Sequence, residues 1–303
     1  MKKIVKWIVV IVAVIVAVGL LSKCVVDKNK EEKPSTPVAD TLNARLENAN
    51  GEYELEIEGE IELVSAGEKT LLGGENVKEL VIDGWNEATI RAVGTGSSIV
   101  KARNNATLIF RNLTIVNALD AVGGAWWDYL WFGGGVRFEN CDIQGAIYLT
   151  GNARAEFENC TFNSGQANKY AAWVADGSAS FYGCTFTGYR GLKIHEFEGG
   201  DDVVNVEVDN CLFDRLSEKP GLAIGQFLVD PLNTTVAVRN SKFQWCNDWD
   251  TEGSLVGVDS FYECDVPLDS FNFIAENNEV LAENQLPPVD IPIEDDERWT
   301  KNY

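Results

Sequence analysis

The sequence has few of the residues that carry most proton transfer and metal binding. Its 303 residues include one His and one Met, and 25 Lys and Arg stand against 47 Asp and Glu. The net charge of −22 repels a phosphate backbone, which excludes a nucleic acid as partner. The seven Cys form no C-x-x-C pair, so we expect no zinc site. Long apolar runs are absent beyond the N-terminus, which excludes a polytopic membrane protein.

The N-terminus differs from the rest in charge and hydropathy. Residues 1–33 hold seven Lys against three acidic residues, so they carry +4 and the remainder carries −26. An unbroken apolar run of 15 residues extends from Trp7 to Leu21. At about 1.5 Å per helical residue, this run and its flanking apolar residues come near the ~30 Å hydrocarbon core. We predict a transmembrane helix within residues 1–23, with the N-terminus inside.

Two alternatives to an uncleaved anchor stay open. The segment also has the shape of a cleaved signal peptide, although it lacks a clear small-residue cleavage site. Cys24 follows Leu-Ser-Lys in a sequence similar to a lipoprotein acylation box, with Lys23 where a small residue is expected. All three alternatives place the body of the chain outside the cytoplasm. Residues 24–40 are charged and contain two Pro, which predicts a flexible stalk, and residues 286–303 form an acidic tail that also contains Pro.

A short motif recurs along the body of the chain, as in VRFENCDI, AEFENCTF and VEVDNCLF. Each copy has an apolar residue, a variable residue, Asn or Gly, a small or apolar residue, another variable residue and then Ile, Phe or Val. The Asn or Gly positions are 112, 140, 159, 183, 210, 240 and 277, at spacings of 28, 19, 24, 27, 30 and 37 residues. A fixed motif with such variable spacing is typical of stacked coils whose connections differ in length.

The motif predicts a sharp bend between two strands. Phe138 and Cys141 are three residues apart, so strict alternation would point them to opposite faces. A left-handed residue at Asn140 would turn both side chains inward, since Asn and Gly tolerate positive φ. A third apolar stretch precedes each motif, as in SIVKA, AIYLT, AAWVA, GLKIH, GLAIG and SLVGV. Three short strands per coil predict an all-β fold, a single-stranded parallel β-helix over residues 41–285, with strands in 51–64 capping its first coil.

The repeated F-x-N-C-x-[FI] units and the aligned Asn residues resemble the right-handed parallel β-helix, or pectate-lyase-like, superfamily over roughly residues 75–282. YRGLKIHEFEG and LSEKPGLAIG are similar to β-helix domains of surface proteins from gut-type Gram-positive bacteria. The resemblance implies the fold and a bacterial cell-surface location. It implies no particular activity, because we find neither the R-x-P-x-x-R or V-W-I-D-H segments of pectate lyases nor the catalytic set of polygalacturonases.

Four Cys share one position of the repeat, namely Cys141, Cys160, Cys184 and Cys211. We expect them to form an interior stack of free thiols, since parallel Cβ vectors oppose a disulfide between neighbouring coils. Cys246 and Cys264 do not follow the pattern, and a disulfide between these two stays open.

One strand combines unusual charges. If Leu192 and Ile194 point inward, Lys193 and His195 point outward on one face, close to Arg190. In enzymes of the resembled superfamily, catalysis lies on an outer strand face flanked by long loops. The resemblance therefore implies Lys193, His195 and Arg190 as catalytic candidates, with a Lys or Arg base abstracting a proton beside a uronate carboxylate. The alternative is an ordinary solvated strand face.

Two further segments suggest binding. The stretch from Trp126 to Phe132 lies between glycine clusters and contains five aromatic residues. It predicts a sugar-stacking platform made by Trp126, Trp127, Tyr129 and Trp131 and extended by Trp245 and Trp249. The alternative is that this segment packs on the coil. The acidic residues of the second segment have a spacing that can wrap Ca²⁺, although an open acidic loop explains it as well: Asp248, Asp250, Glu252 and Asp259.

These features favour a membrane-anchored extracellular module that binds carbohydrate or mediates adhesion without catalysis. No cofactor is required by this hypothesis, and Ca²⁺ is compatible with it. A polysaccharide lyase or glycoside hydrolase acting at the Arg190, Lys193 and His195 face is the second hypothesis, and a structural stalk is the third. The charge of −26 opposes unaided binding of polyanionic glycans, so neutral glycans are favoured.

Overall fold

The structure is a computed structural model, and the residues that it describes leave gaps along the chain. They are 40–96, 98–119, 129–165, 169–194, 204–216, 221–225, 234–244, 246 and 271–280, with the backbone alone of 248–249, 255–256 and 262–264. The predicted membrane segment 1–23, residues 24–39 of the stalk and the tail 286–303 lie outside this set. Among the described residues, no helix has the length and apolar character needed to cross a membrane.

The strands form three parallel sheets, and the chain visits them in turn. Two long strands, β1 (Gly51–Ser65) and β3 (Val77–Gly94), bend at a corner and contribute to both the first and the second sheet. The first sheet continues with β5 (Thr107–Arg111), β8 (Gly135–Glu139), β11 (Ala153–Glu158), β14 (Gly177–Tyr182), β17 (Val204–Asp209), β20 (Thr235–Arg239) and β25 (Asn272–Glu276). The second continues with β6 (Thr114–Asn117), β9 (Asp142–Gln144), β12 (Thr161–Asn163), β15 (Thr185–Gly188), β18 (Leu212–Leu216), β21 (Lys242–Gln244) and β26 (Glu279–Val280).

The third sheet closes each coil. It contains β2 (Lys69–Leu72), β4 (Ile99–Ala102), β7 (Leu130–Phe132), β10 (Ile147–Leu149), β13 (Tyr170–Val174), β16 (Arg190–Ile194), β19 (Leu222–Ile224) and β24 (Tyr262–Cys264). A 3₁₀ turn at Arg103–Asn105 joins β4 to β5, and an antiparallel pair is formed by β22 (Asp248–Trp249) and β23 (Leu255–Val256). The parallel β-helix with three strands per coil is therefore confirmed.

The bend between the first and second sheets has the predicted left-handed residue. Asn112, Asn140, Asn159, Asn210, Asn240 and Asn277 all have φ between 51° and 54°, and Gly183 has φ of 64°. The side chains also bond between coils: the Asn140 amide nitrogen donates to the Asn112 amide oxygen at 3.1 Å, and Asn277 donates to Asn240 at 3.3 Å. The repeated Asn thus sets the bend and links successive coils.

The interior is filled by columns of identical side chains. In the first sheet the Phe138, Phe157 and Phe181 rings are parallel, with centroids 4.8 Å apart at each step. A second column runs along the second sheet through Phe186, Phe213 and Phe243, with steps of 4.5 Å. These distances equal the coil spacing, so each ring packs on its equivalent in the next coil.

The four repeated Cys are buried free thiols, as predicted. Each sulfur lies near the carbonyl of the Phe one coil earlier, as Cys141 Sγ does at 3.4 Å from Phe110 O. Contacts with the neighbouring thiols of the column, first Cys160 and then Cys211, raise the pKa of Cys184, and burial raises it further. Cys246 also carries a free thiol, so the alternative of a disulfide with Cys264 is wrong.

The first coil is covered by a short helix that the sequence did not reveal. Helix α1 (Leu42–Leu46) begins after Thr41, whose hydroxyl accepts a hydrogen bond from Ala44 N at 3.2 Å. Leu42 and Leu46 are fully buried against the interior. Strand β1 is the first parallel strand below this helix, so residues 51–64 do form strands at the end of the solenoid, while the helix covers them.

Two assignments in the third sheet were wrong. SLVGV was predicted to supply its last strand, but Leu255–Val256 pairs instead with Asp248–Trp249, and β24 takes the place beside β19. The aromatic stretch was predicted to be a platform loop, but its described end, Tyr129–Phe132, contains strand β7 of the third sheet. The alternative that this part packs on the coil is the correct one.

Candidate functional site

The register of the third sheet aligns one outward side chain from each coil. Trp131 pairs with Tyr148, Tyr148 with Trp173, Trp173 with Lys193 and Lys193 with Ala223. The flanking residues of these strands, such as Leu192 and Ile194, are buried in the interior. Alternation therefore places the central residues on the outer face, where we call them the outer row: Trp131, Tyr148, Trp173, Lys193 and Ala223.

The aromatic members of the outer row form a second apolar cluster outside the solenoid interior. The Trp131 and Tyr148 ring centroids are 4.5 Å apart, and Tyr148 meets Trp173 edge-on at 5.2 Å. Tyr129 packs edge-on against Trp173 at 5.8 Å, and its hydroxyl accepts a hydrogen bond from Tyr170 N at 3.1 Å. Tyr129, Tyr148 and Trp173 are buried, and Trp131 is half-buried. Such rings make a rigid wall and offer little exposed surface for stacking.

Cationic groups lie against these rings. Lys193 is only 8% exposed, and its ammonium lies 5.0 Å from the Trp173 ring centre and 5.1 Å from that of Tyr170. The Arg190 guanidinium lies 5.3 Å from the Tyr170 ring, and the Lys169 ammonium 4.6 Å from the Tyr129 ring. Lys193 does point away from the interior, but it is buried among rings, so the alternative of a solvated strand face is wrong for this residue.

An acidic residue lies at the edge of the same face. Asp176 follows β13, and one of its carboxylate oxygens accepts a hydrogen bond from Asn152 N at 2.9 Å. The other oxygen, Oδ1, is buried without a hydrogen-bond partner among the described residues. Burial raises the pKa of the Tyr148 hydroxyl to about 12, and the charge of Asp176 contributes to the shift. A buried carboxylate oxygen without a donor is costly unless a ligand or water supplies one.

Several predicted site residues fall outside the described part of the chain. His195, Trp126, Trp127 and Trp245 are among them, as are Asp250, Glu252 and Asp259 of the predicted calcium loop. The backbones of Asp248 and Trp249 are described, and they pair in antiparallel fashion with residues 255–256. Among the described residues, no three His, Cys, Asp or Glu converge to hold a metal ion.

Of the predicted site residues, the structure brings Arg190 and Lys193 onto the same face as Tyr129 and Trp131. Sequence reasoning missed the residues that join them: Tyr148, Tyr170, Trp173, Lys169 and Asp176. The sequence did contain a signal for these residues, because Tyr148, Trp173 and Lys193 are the central residues of the aligned segments AIYLT, AAWVA and GLKIH. A sheet face that combines rings, cations and an acceptor can bind a polar ligand or position its acidic group.

Comparison with known families gives one match, which covers about half of the chain. The model of a family described as a right handed beta helix region matches residues 129–281. No curated protein matches the sequence, and no solved structure matches the fold closely enough to be counted. The matched range includes the outer row and the strands on either side of it. This fold indicates a carbohydrate-related or surface module.

Proposed function

The chain belongs to the right-handed β-helix family, and from this premise we propose that it is a cell-surface module that binds a glycan on the outer face of its third sheet. In this proposal residues 1–23 anchor the chain in the membrane and the solenoid lies outside the cell. The face that carries the outer row binds the ligand without catalysing a reaction.

The observation that carries the proposal is the grouping of Arg190, Lys193 and the aromatic wall on one face. Two cations lie over Tyr170, and one of them also lies over Trp173. The body of the chain carries a net charge of −26, and this face concentrates positive charge and hydrogen-bond donors within it. The rings fix the positions of the cations, because their own side chains are locked by packing.

The connections of the chain also favour this face. Long segments join the second to the third sheet, as between β6 and β7, and the third to the first sheet, as between β16 and β17 and between β19 and β20. At the Asn bend, by contrast, β8 is separated from β9 by only Asn140 and Cys141. Binding sites on rigid scaffolds are often built where long connections border a regular face. In the proposal these segments supply Trp126, Trp127, Trp245 and Trp249 to the ligand.

Asp176 supports a ligand rich in hydroxyl groups. Its buried Oδ1 accepts no hydrogen bond from a described residue, and a sugar hydroxyl is a suitable donor. We assign Lys193 and Arg190 to acceptor oxygens of the ligand and Asp176 to one of its hydroxyls. A neutral glycan, or one with isolated acidic groups, suits the negative charge of the body better than a continuous polyanion.

An array of defined glycans, probed with the full-length chain in detergent, tests the proposal. Lys193→Met, which nearly keeps the length of the side chain and removes its charge, should abolish binding of the glycans that the unmodified chain binds. Asp176→Asn should weaken this binding. Lys101→Met, on strand β4 of the same sheet, is the matched control and should bind as before. Urea unfolding of all three variants checks that binding is lost without loss of the fold.

The same proteins separate the proposal from its rivals. Retained glycan binding in both Lys193→Met and Asp176→Asn would remove this face from the function. The co-location of Lys193 and Arg190 favours an enzyme as the second candidate. Release of unsaturated uronates or reducing ends that Lys193→Met abolishes would establish a lyase or hydrolase. The absence of both binding and release would leave a structural stalk.

A further inference from the structure

A groove of about 430 Å³ crosses the outer face of the first sheet, away from the outer row. It runs over four successive coils and is lined by residues of β11, β14, β17 and β20. The polar side chains that line it are Arg154, Glu156, Ser178, Ser180, Asn205, Glu207, Thr235 and Arg239. All of them belong to well-paired strands, so the groove is a fixed feature of the sheet.

The groove is open because its longer side chains are held aside. Ser178 and Ser180 on β14 form the floor together with Ala237 on β20, while β11 and β17 carry longer side chains. Glu156 beside them accepts a hydrogen bond from Arg137 Nε at 2.7 Å, on the side away from β14. Glu207 on the opposite side accepts one from Arg239 at 2.9 Å, again away from β14. These two ion pairs satisfy the carboxylates and leave the serine hydroxyls accessible.

One row of the groove consists of hydrogen-bond donors. The register places Arg154, Ser178, Asn205 and Thr235 side by side on consecutive strands. The Asn205 side-chain oxygen already accepts from Thr235 N at 3.1 Å, so its NH₂ group is the part left to donate.

Arg154 is exceptional among the arginines of the first sheet. Arg111, Arg137 and Arg239 each form ion pairs with carboxylates, whereas exposed Arg154 forms none with the described residues. In a body of net charge −26, a guanidinium without an ion pair at the end of a donor row marks a place for an acidic group.

We propose that this groove is a second binding site, which takes an extended oligosaccharide with one carboxylate-bearing sugar seated on Arg154. The coils are about 4.8 Å apart, which is close to the repeat of an extended pyranose chain. Successive sugars therefore meet Ser178, Asn205 and Thr235 in turn. The surrounding carboxylates repel further acidic groups, so the site selects a single charge over a polyanion.

The test uses a pair of trisaccharides that differ in one group, one ending in glucuronate and the other ending in glucose. Calorimetry with the full-length chain should show tighter binding of the glucuronate form. Arg154→Gln should lower its affinity about tenfold or more, because a charge-assisted hydrogen bond is lost. Arg91→Gln changes another exposed arginine, on β3 outside the groove, and should leave the affinity unchanged.

A second variant tests the groove itself. Ser180→Tyr fills the floor from an outward position and should abolish binding of both trisaccharides while the fold is retained. Equal affinity of Arg154→Gln and the unmodified chain, or no binding of either trisaccharide at millimolar concentration, would overturn the proposal. Lys193→Met must leave this binding intact, which distinguishes failure here from failure of the site on the third sheet.

Discussion

The Lys193 ammonium lies 5.0 Å from the centre of the Trp173 ring, because β13 and β16 pair with these two residues opposite each other. A cation held over an indole in a buried position gains about 2 kcal/mol relative to an unstacked arrangement. The pair joins two features that lie apart in the sequence, the aromatic cluster and the cationic strand. Trp173 therefore packs the aromatic cluster and also fixes the position of the Lys193 ammonium.

Removal of the Trp173 ring should destabilise the solenoid strongly. The side chain is 4% exposed and packs on Tyr129, Tyr148 and Lys193, so Trp173→Ala leaves a large cavity outside the main interior. We expect the free energy of unfolding to fall by about 3–5 kcal/mol, measured by urea denaturation. Trp85→Ala is the control, since that ring is 66% exposed and its loss should change stability by about 0.5 kcal/mol or less. Equal effects of the two variants would contradict the packing described for Trp173.

Tyr148 should give the solenoid a stability that disappears in strong alkali. Its pKa is about 12 in the folded chain against an ordinary value of 10.0, since burial and the Asp176 charge oppose ionisation. Because folding raises this pKa, the neutral hydroxyl contributes its full stabilisation below the pKa of the unfolded chain. This contribution is lost as pH rises from about 10 to about 12. The shift of two units corresponds to about 3 kcal/mol. The measurement is the urea midpoint at several pH values across this window.

Tyr148→Phe isolates the contribution of the hydroxyl. The variant keeps the ring against Trp131 and Trp173 and removes the group that ionises. Its stability should therefore fall less steeply between pH 10 and pH 12 than that of the unmodified chain. Parallel pH profiles for the two proteins would show that Tyr148 ionises at its ordinary pKa.

The Asn bend and the interior columns could be predicted because the chain repeats them. Asn140 and Cys141 occupy positions that recur in seven motifs, and each copy is under the same steric constraint. The third sheet is different, since the segments that lead into it vary in length and place no fixed residue before each strand. SLVGV has the β-branched composition of a strand, but a strand in an antiparallel pair satisfies this preference as well as a strand in a parallel sheet does.

The candidate site could be predicted only in part. Alternation indicated that Lys193 points away from the interior, and this is confirmed. Its burial could not be predicted, because it results from Tyr170 and Trp173 one coil earlier, whose register depends on the whole stack. The groove near Arg154 was also missed, since it depends on which neighbouring carboxylates are drawn aside by ion pairs.

The conformation of Asn140 predicts an order of stability among its variants. Its φ of 52° is unfavourable for Ala by about 1–2 kcal/mol, while Gly adopts it freely. Asn140→Ala should therefore cost this strain and the hydrogen bond to Asn112, and Asn140→Gly should cost mainly the bond, about 1 kcal/mol. Gly183, which occupies the same position of another coil, shows that the bend tolerates glycine. Urea denaturation should rank the unmodified chain above Asn140→Gly and Asn140→Ala last, and an equal loss in both variants would contradict a role for positive φ.

Helix α1 should protect the end of the solenoid from self-association. Leu42 and Leu46 cover the first coil, and Thr41 forms a parallel bridge with Glu62 of β1. The Asn43 side chain also holds this edge, since it accepts a hydrogen bond from Val64 N at 2.8 Å and donates one to Val64 O at 3.1 Å. A charged side chain between the helix and the first coil, as in Leu42→Asp, should detach the helix and leave the edge of β1 open to pair with another chain. We expect dimers or larger species by light scattering, at a protein concentration where the unmodified chain shows a smaller mass. Asn48→Asp is the control, because it introduces the same charge at an exposed position just after the helix. A mass of Leu42→Asp equal to that of Asn48→Asp, with the fold intact, would show that the helix does not guard this edge.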